Sequence, residues 1–263
     1  MNAASILLDF AEGVATITLN RPERLNSFTE TMHAELRAAL DQVERHGAAR
    51  VLVITGAGRG FSAGQDLAEA AMPADDEPWD VGATLEKNYN PLLARLRALP
   101  MPVIAAVNGV AAGASANIAL GCDVVIATRS ASFLQAFARI ALIPDAGGTY
   151  VLPRRVGLSR ALGLSLLAEP ISAEQAEAWG LIWKCVDDDR FTETVRATAR
   201  KLASGPTRAY ALIKQSLYAS ADNSFDAQLA LEVRLQREAG ETADFREGVR
   251  AFLEKRPAAF QGR

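Results

Sequence analysis

"VIAAVNGVAAGASANIALGCDVVIA", residues 103–127, decides how this chain folds. Val103–Val107 is continuously apolar, as in a strand covered on both faces. Small residues follow Asn108-Gly109 and lead into a helix, and Val124–Ala127 is strand-like again. The same order occurs upstream. "VLVIT" (51–55) is a second buried-strand candidate, and it runs into "GAGRGFSAGQDL" (56–67), whose glycines should give way to a helix. Strands alternating with helices predict a mainly parallel α/β core.

The flanks fit that plan. Ser5–Phe10 and Val14–Leu19 alternate around Glu12-Gly13, which predicts a hairpin. "NRPERLNSFTETM" (20–32) is a polar loop entering a helix from about Thr29, with Met32, Leu36, Leu40 and Val43 at helical spacing. Residues 72–82 combine Pro, Gly and acid and read as a mobile loop containing Trp79, followed by a helix to about Ala98. From Ser159 onward the pattern is almost all helix, as in Phe191, Val195, Ala199 and Leu202. We therefore expect a core over residues 1–195 and a helical region over 196–263.

Composition narrows the function. Of 263 residues, 49% are apolar and 22% charged, and the net charge is −3. That argues against a nucleic-acid binder or a polybasic membrane surface. Cys122 and Cys185 have no Cys or His at metal-ligand spacing, so no metal is expected. No secretory signal and no membrane-length apolar span is visible, which makes the cytoplasm the expected location.

The first glycine turn invites a nucleotide. Gly56, Gly58 and Gly60 give G-x-G-x-G, which matches neither the dinucleotide fingerprint nor a P-loop. A dinucleotide oxidoreductase is thereby disfavoured. The pair of turns says more. N–H groups at a helix start lack intrahelical partners, and two converging on one point would make an oxyanion hole. The residues alone equally allow small side chains that only permit tight helix–sheet packing.

"LIPDAGGTY" (142–150) sets Asp145 between apolar residues and a Gly pair with no cation nearby. It is a proton carrier with a raised pKa, or the N-cap of a helix beginning near Ala146. His33 lies on a helix with polar neighbours, and His46 lies near that helix's end. No histidine is near Ser62 or Ser115 in sequence, so a serine triad is not expected.

"NRPERLNSF", "GRGFSAGQDL", "AAVNGVAAGASANIALGCD", "IPDAGGTYVLPRRVG", "SAEQAEAWGLIWKCV" and "REGVRAFLEKRPAAF" follow in order along nearly the whole chain. Together they resemble the crotonase (enoyl-CoA hydratase/isomerase) superfamily. Within it they are most similar to the isomerases of ring 1,2-epoxyphenylacetyl-CoA in phenylacetate catabolism.

The resemblance implies the crotonase fold: repeated ββα units in a spiral core with a C-terminal helical trimerisation region. It implies that the N–H groups of Gln65 and Ala114 hold the thioester oxygen of an acyl-CoA. Relatives often have Gly at the position of Ala114. The hydratases deliver water with two glutamates, and the matching positions here are Asn117 and Phe137. An amide and a phenyl ring cannot exchange protons usefully near neutrality. Asp145 is then the acid/base that resembles the isomerases' carboxylate.

Arg24 and Arg59 match phosphate partners of CoA, and Ala63, Asp66 and Leu67 match positions flanking its adenine. Phe252 and Lys255 on the C-terminal helix would reach a neighbouring subunit's CoA in a trimer or hexamer. No cofactor is implied, because CoA arrives with the substrate. The implied function is acyl-CoA isomerisation. The alternatives are a shift of an enoyl-CoA double bond from position 3 to 2, hydration, and acyl-CoA binding without catalysis.

Overall fold

The computed structural model describes residues 4–68 and 80–263, so Trp79 and most of the expected mobile loop lie outside the described residues. Strands β1 (Ile6–Ala11) and β2 (Val14–Leu19) form the expected hairpin. Its two turn residues are left-handed, Glu12 at φ 53° and Gly13 at φ 77°. That hand matches the twist of the flanking strands, so a two-residue connection suffices.

Helix α1 (Glu30–Arg45) starts where Thr29 accepts the Met32 N–H, and it buries Met32, Leu36, Leu40 and Val43. It carries the chain across to β3 (Val51–Gly56), which pairs in parallel with β2. Strands β5 (Val103–Val107), β7 (Val124–Thr128) and β10 (Lys184–Val186) extend the same sheet in the order β1-β2-β3-β5-β7-β10. All five residues of β5 are buried because both faces of this sheet are covered.

A second sheet collects the short strands β4 (Gly60–Ser62), β6 (Val110–Ala112), β8 (Ser132–Leu134) and β9 (Ile171–Ser172), in that order. Each unit therefore lays one long strand in the main sheet and one short strand in the second. The helical leg of the first unit is α2 (Val81–Thr84), a π-turn (Leu85–Tyr89) and α3 (Asn90–Ala98). The second unit ends in α4 (Ala114–Gly121) and the third in α5 (Gly148–Leu167). This is the repeated ββα spiral that the resemblance implies.

Three details differ from the sequence reading. No helix begins between Gln65 and Ala68, where Asp66 instead accepts the Ala68 N–H in a side-chain turn. The last third contains β9 and β10 among its helices; strands of two and three residues leave no periodicity to read. The boundary at 195/196 falls inside α7 (Asp188–Ala203), whose Ala199 and Ala203 pack on Val51, Val53 and Ile104 of the main sheet.

After α6 (Ala173–Ala178) and α7 come α8 (Thr207–Ala219), α9 (Phe225–Gly240) and α10 (Ala243–Leu253). α8 is tied to the core by a buried pair, Lys214 Nζ to Asp123 at 2.7 Å. Lys214 also donates to Met101 O, and the Tyr218 hydroxyl donates to the other oxygen of Asp123 at 2.6 Å. No helix among the described residues is long and apolar enough to cross a membrane.

Candidate active site

Gln65 lies on an isolated parallel bridge to Phe28. The Phe28 N–H donates to Gly64 O at 2.7 Å, and the Asp66 N–H donates to Phe28 O at 2.9 Å. In a parallel pairing those flanking groups face the partner, so the N–H of Gln65 itself faces the other side. Gly64 adopts φ +91°, and a Cβ there would lie 2.9 Å from Ala112 O and 3.7 Å from Ala114 N. The two glycine turns thus lie directly against each other. Ser115 Oγ locks them, reaching Ser62 O at 2.6 Å and Ala112 O at 2.7 Å. Neither Ser62 nor Ser115 has a histidine partner.

Ala114 is the first residue of α4, behind Gly113 at φ 58° with no side-chain cap. Its N–H therefore belongs to the group that helix geometry leaves unpaired. Phe137, buried on a short 3₁₀ turn, lies beside this point. A Cβ on Gly113 would sit 3.9 Å from its ring tip.

Asp145 is not a helix cap. α5 begins at Gly148, and Gly147 at φ 76° occupies the cap position without a side-chain contact. The turn is shaped by Ala146 (φ 45°) and Gly147, and Asp145 contributes only its carbonyl, which accepts the Gly148 N–H at 2.8 Å. The carboxylate has one buried oxygen, Oδ1, with no hydrogen-bond partner. Burial pushes its pKa up to about 6, and its own N–H offsets part of that rise. Removing a carboxylate from water without supplying donors disfavours the charged form.

Asn117 fixes this turn from α4. It is buried, its Nδ2 donates to Asp145 O at 2.8 Å, and its Oδ1 accepts from Gln135 Nε2 at 2.8 Å. Gly148 packs so closely that a Cβ there would lie 2.3 Å from Asn117 Nδ2. Both ends of the amide are used by the protein, so Asn117 is a strut for Asp145.

One neighbour, Tyr89, escapes the sequence reading, and another, His33, stands in it only as a helix residue with polar neighbours. Tyr89, from the π-turn, donates its hydroxyl to Gln65 Oε1 at 2.7 Å. His33 packs edge-on against it, ring centroids 4.6 Å apart. Burial pulls the His33 pKa down to about 4, which keeps the imidazole neutral. Burial also raises the Tyr89 phenol, and the Asp145 charge adds to that rise. Sequence separation hid their connection; nothing in the spacing links positions 33, 65, 89 and 145. In the folded chain the buried polar atoms mark the cluster. Among the described residues those without a partner are His33 Nε2, Gln135 Oε1 and Asp145 Oδ1, and all three belong to this cluster.

The sequence profile of the family "Enoyl-CoA hydratase/isomerase" matches residues 9–263. The chain belongs to the enoyl-CoA hydratase/isomerase family. It is 54% identical over 258 residues to the 1,2-epoxyphenylacetyl-CoA isomerase of Escherichia coli (strain K12), covering 98% of each chain. It is 52% identical over 263 residues to a Rhodobacter capsulatus protein named "Probable enoyl-CoA hydratase", covering both chains fully. The solved enoyl-CoA hydratase of Bacillus anthracis superposes with a TM-score of 0.90 at 33% identity, over 98% of this chain and 100% of that one. The fold is thereby a crotonase fold.

In this family member the expected CoA contacts fall into two groups. Arg24, Arg59, Ala63 and Leu67 are exposed. Asp66 is buried and engaged, with Arg21 at 3.0 Å and the Ser27 hydroxyl at 3.0 Å. Burial works against its charge, but Arg21 and Ser27 outweigh it and hold the carboxyl below its usual range. Its side chain braces the first turn. Phe252 is 82% exposed on α10, and Lys255 is exposed beyond the helix end at φ 54°.

Proposed function

We propose that this family member is an acyl-CoA isomerase that converts ring 1,2-epoxyphenylacetyl-CoA to its oxepin form. The observation that carries the reading is the unpartnered, buried oxygen of Asp145. A carboxyl with a pKa about 6 can both take and return a proton near neutrality. The Gln65 and Ala114 N–H groups would bind the thioester oxygen and stabilise the charge that grows on it. Asp145 would then move protons on the acyl group as the ring rearranges. A pure acyl-CoA binder has no use for a starved acid, whose burial costs stability.

The same groups suit a shift of an enoyl-CoA double bond from position 3 to 2, the second reading. Hydration by a glutamate pair does not fit, because Asn117 has both ends of its amide occupied and Phe137 carries no proton. The test is incubation with ring 1,2-epoxyphenylacetyl-CoA, with the product identified by mass and ultraviolet spectra. Unchanged substrate would refute the proposal. Crotonyl-CoA, followed by loss of its enoyl absorbance, should turn over at no more than about one hundredth of the isomerisation rate.

The active assembly in this proposal is a trimer, or a hexamer of two trimers. Val249, Phe252 and Leu253 on α10 are 45%, 82% and 73% exposed, so the single chain leaves their apolar stripe uncovered. Covering it with a neighbour would place Phe252 and Lys255 near that neighbour's CoA. Arg256 is already held by Glu247 and Glu254. Light scattering should give a trimer or hexamer, and Lys255→Ala should raise KM about fivefold at similar kcat, the signature of lost uniform binding. A fully active monomer would refute this arrangement.

A further inference from the structure

The segment between Val81 and Ala98 is helical throughout, yet it contains Pro91. A proline inside a helix lacks a donor and crowds the carbonyl four residues earlier. The chain accommodates it with the π-turn at Leu85–Tyr89, where the Asn90 N–H reaches back five residues to Leu85 O. One extra residue rotates the side chains that follow by about 100° relative to a regular helix. The π-turn is pinned to α1. Asn88 Nδ2 donates to Glu30 at 2.7 Å, and Arg37 donates to Asn88 Oδ1 at 2.8 Å.

Tyr89 is the residue this device aims. Its ring is 1% exposed, flanked by His33 and by Phe28 at 6.0 Å, and its hydroxyl ends on Gln65 Oε1. Phe28 holds the main chain on both sides of Gln65. Its side chain is held by Tyr89, with the His33 ring also within reach of its amide.

We infer that Tyr89 is a positioning residue: its hydroxyl fixes the Gln65 side chain so that the Gln65 N–H faces the thioester oxygen undisturbed. This rests on the oxyanion role proposed above for Gln65. The physical reason is charge. A freed Gln65 can swing its amide oxygen toward the place where negative charge develops, and two acceptors there oppose each other. Held by Tyr89, that oxygen is already satisfied and points into the protein. Tyr89 itself is too buried to touch substrate, so its loss should appear in the chemical step and not in CoA affinity.

The test is Tyr89→Phe, read with 4-dimethylaminocinnamoyl-CoA, a push–pull thioester whose absorption moves to the red as its carbonyl is polarised. We expect a smaller red shift than in the wild type, kcat reduced about tenfold, and KM within about twofold. Asp145→Asn should keep the full wild-type shift, since it removes the acid and not the hole. An unaltered shift and kcat in Tyr89→Phe would overturn the inference. No shift in the wild type would overturn the oxyanion reading itself, a separate outcome. Gln65→Met removes the amide oxygen itself, so combined with Tyr89→Phe it should restore the red shift that Tyr89→Phe alone loses, both read below the melting temperature of each variant. A double variant with the same reduced shift as Tyr89→Phe would overturn the inference.

Discussion

Asp66 and Asp145 each stand in a glycine turn at the site, and their surroundings are opposite. Asp66 receives Arg21, the Ser27 hydroxyl and the Ala68 N–H, and its carboxyl is held below the usual range. Asp145 is offered no donor at Oδ1 from any other residue, and burial raises it to about 6. The two are chemically identical side chains. What separates the brace from the proposed proton carrier here is the supply of hydrogen-bond donors, and only the folded chain sets that supply.

The strongest way to break this contrast is Asp145→Asn, which keeps size and removes proton transfer. Isomerase turnover should fall by about 10²-fold or more, with acyl-CoA affinity little changed. Near-normal turnover would remove Asp145 from the mechanism. Asp66→Asn should do the reverse. It weakens charge-assisted bonds to Arg21 and Ser27, so stability should fall by about 1–3 kcal/mol, while turnover per folded molecule changes little. Denaturant unfolding at neutral pH checks it, and a stability equal to the wild type would contradict the bracing role.

The smallest effect concerns pH. The Asp145 pKa is raised on folding, so its contribution favours the folded state below the unfolded value, near 4, and is lost as pH rises through about 6. Asp145→Asn should therefore be more stable than the wild type at pH 7, by on the order of 1 kcal/mol after discounting for partial solvent screening. That gain should vanish near pH 4. The Asp66 carboxyl is lowered on folding, so its contribution is present above the ordinary Asp value and lost as pH falls through the lowered one. Melting curves across pH 3–8 should show the two variants diverging from the wild type in opposite directions.

The sequence shows the parts of this molecule whose causes are local. Glu12-Gly13 announces the hairpin, the spacing of Met32, Leu36, Leu40 and Val43 announces α1, and the apolar run at Val103–Val107 announces a doubly covered strand. Asp145 stands out because a carboxylate amid apolar neighbours is costly and needs a reason. What could not be read depends on distant partners. Strands of two or three residues, such as β9 and β10, form only because a sheet edge awaits them. Tyr89 reaches Gln65 from a π-turn just before Pro91, where the proline is visible but the direction it sets is not, and His33 packs on Tyr89 from α1. The capping alternative for Asp145 failed for a similar reason: Ala146 and Gly147 both turn left-handed and delay α5 to Gly148.

Gly148 and Asn117 have a consequence for how such a chain can change its chemistry over evolutionary time. They fit so tightly that no side chain can be added at 148 without displacing the amide, and the amide in turn carries the Asp145 carbonyl. A glutamate placed at 117 would bring a second carboxylate but could no longer donate to that carbonyl. The first step toward a two-acid water-adding centre would thus slacken the existing one before the new one is complete. Positions 117, 137 and 145 are therefore expected to be epistatic, with single replacements passing through a catalytically poor intermediate. Descent from one chemistry to the other along this backbone would favour routes in which 117 and 137 change together, or in which Asp145 is released first.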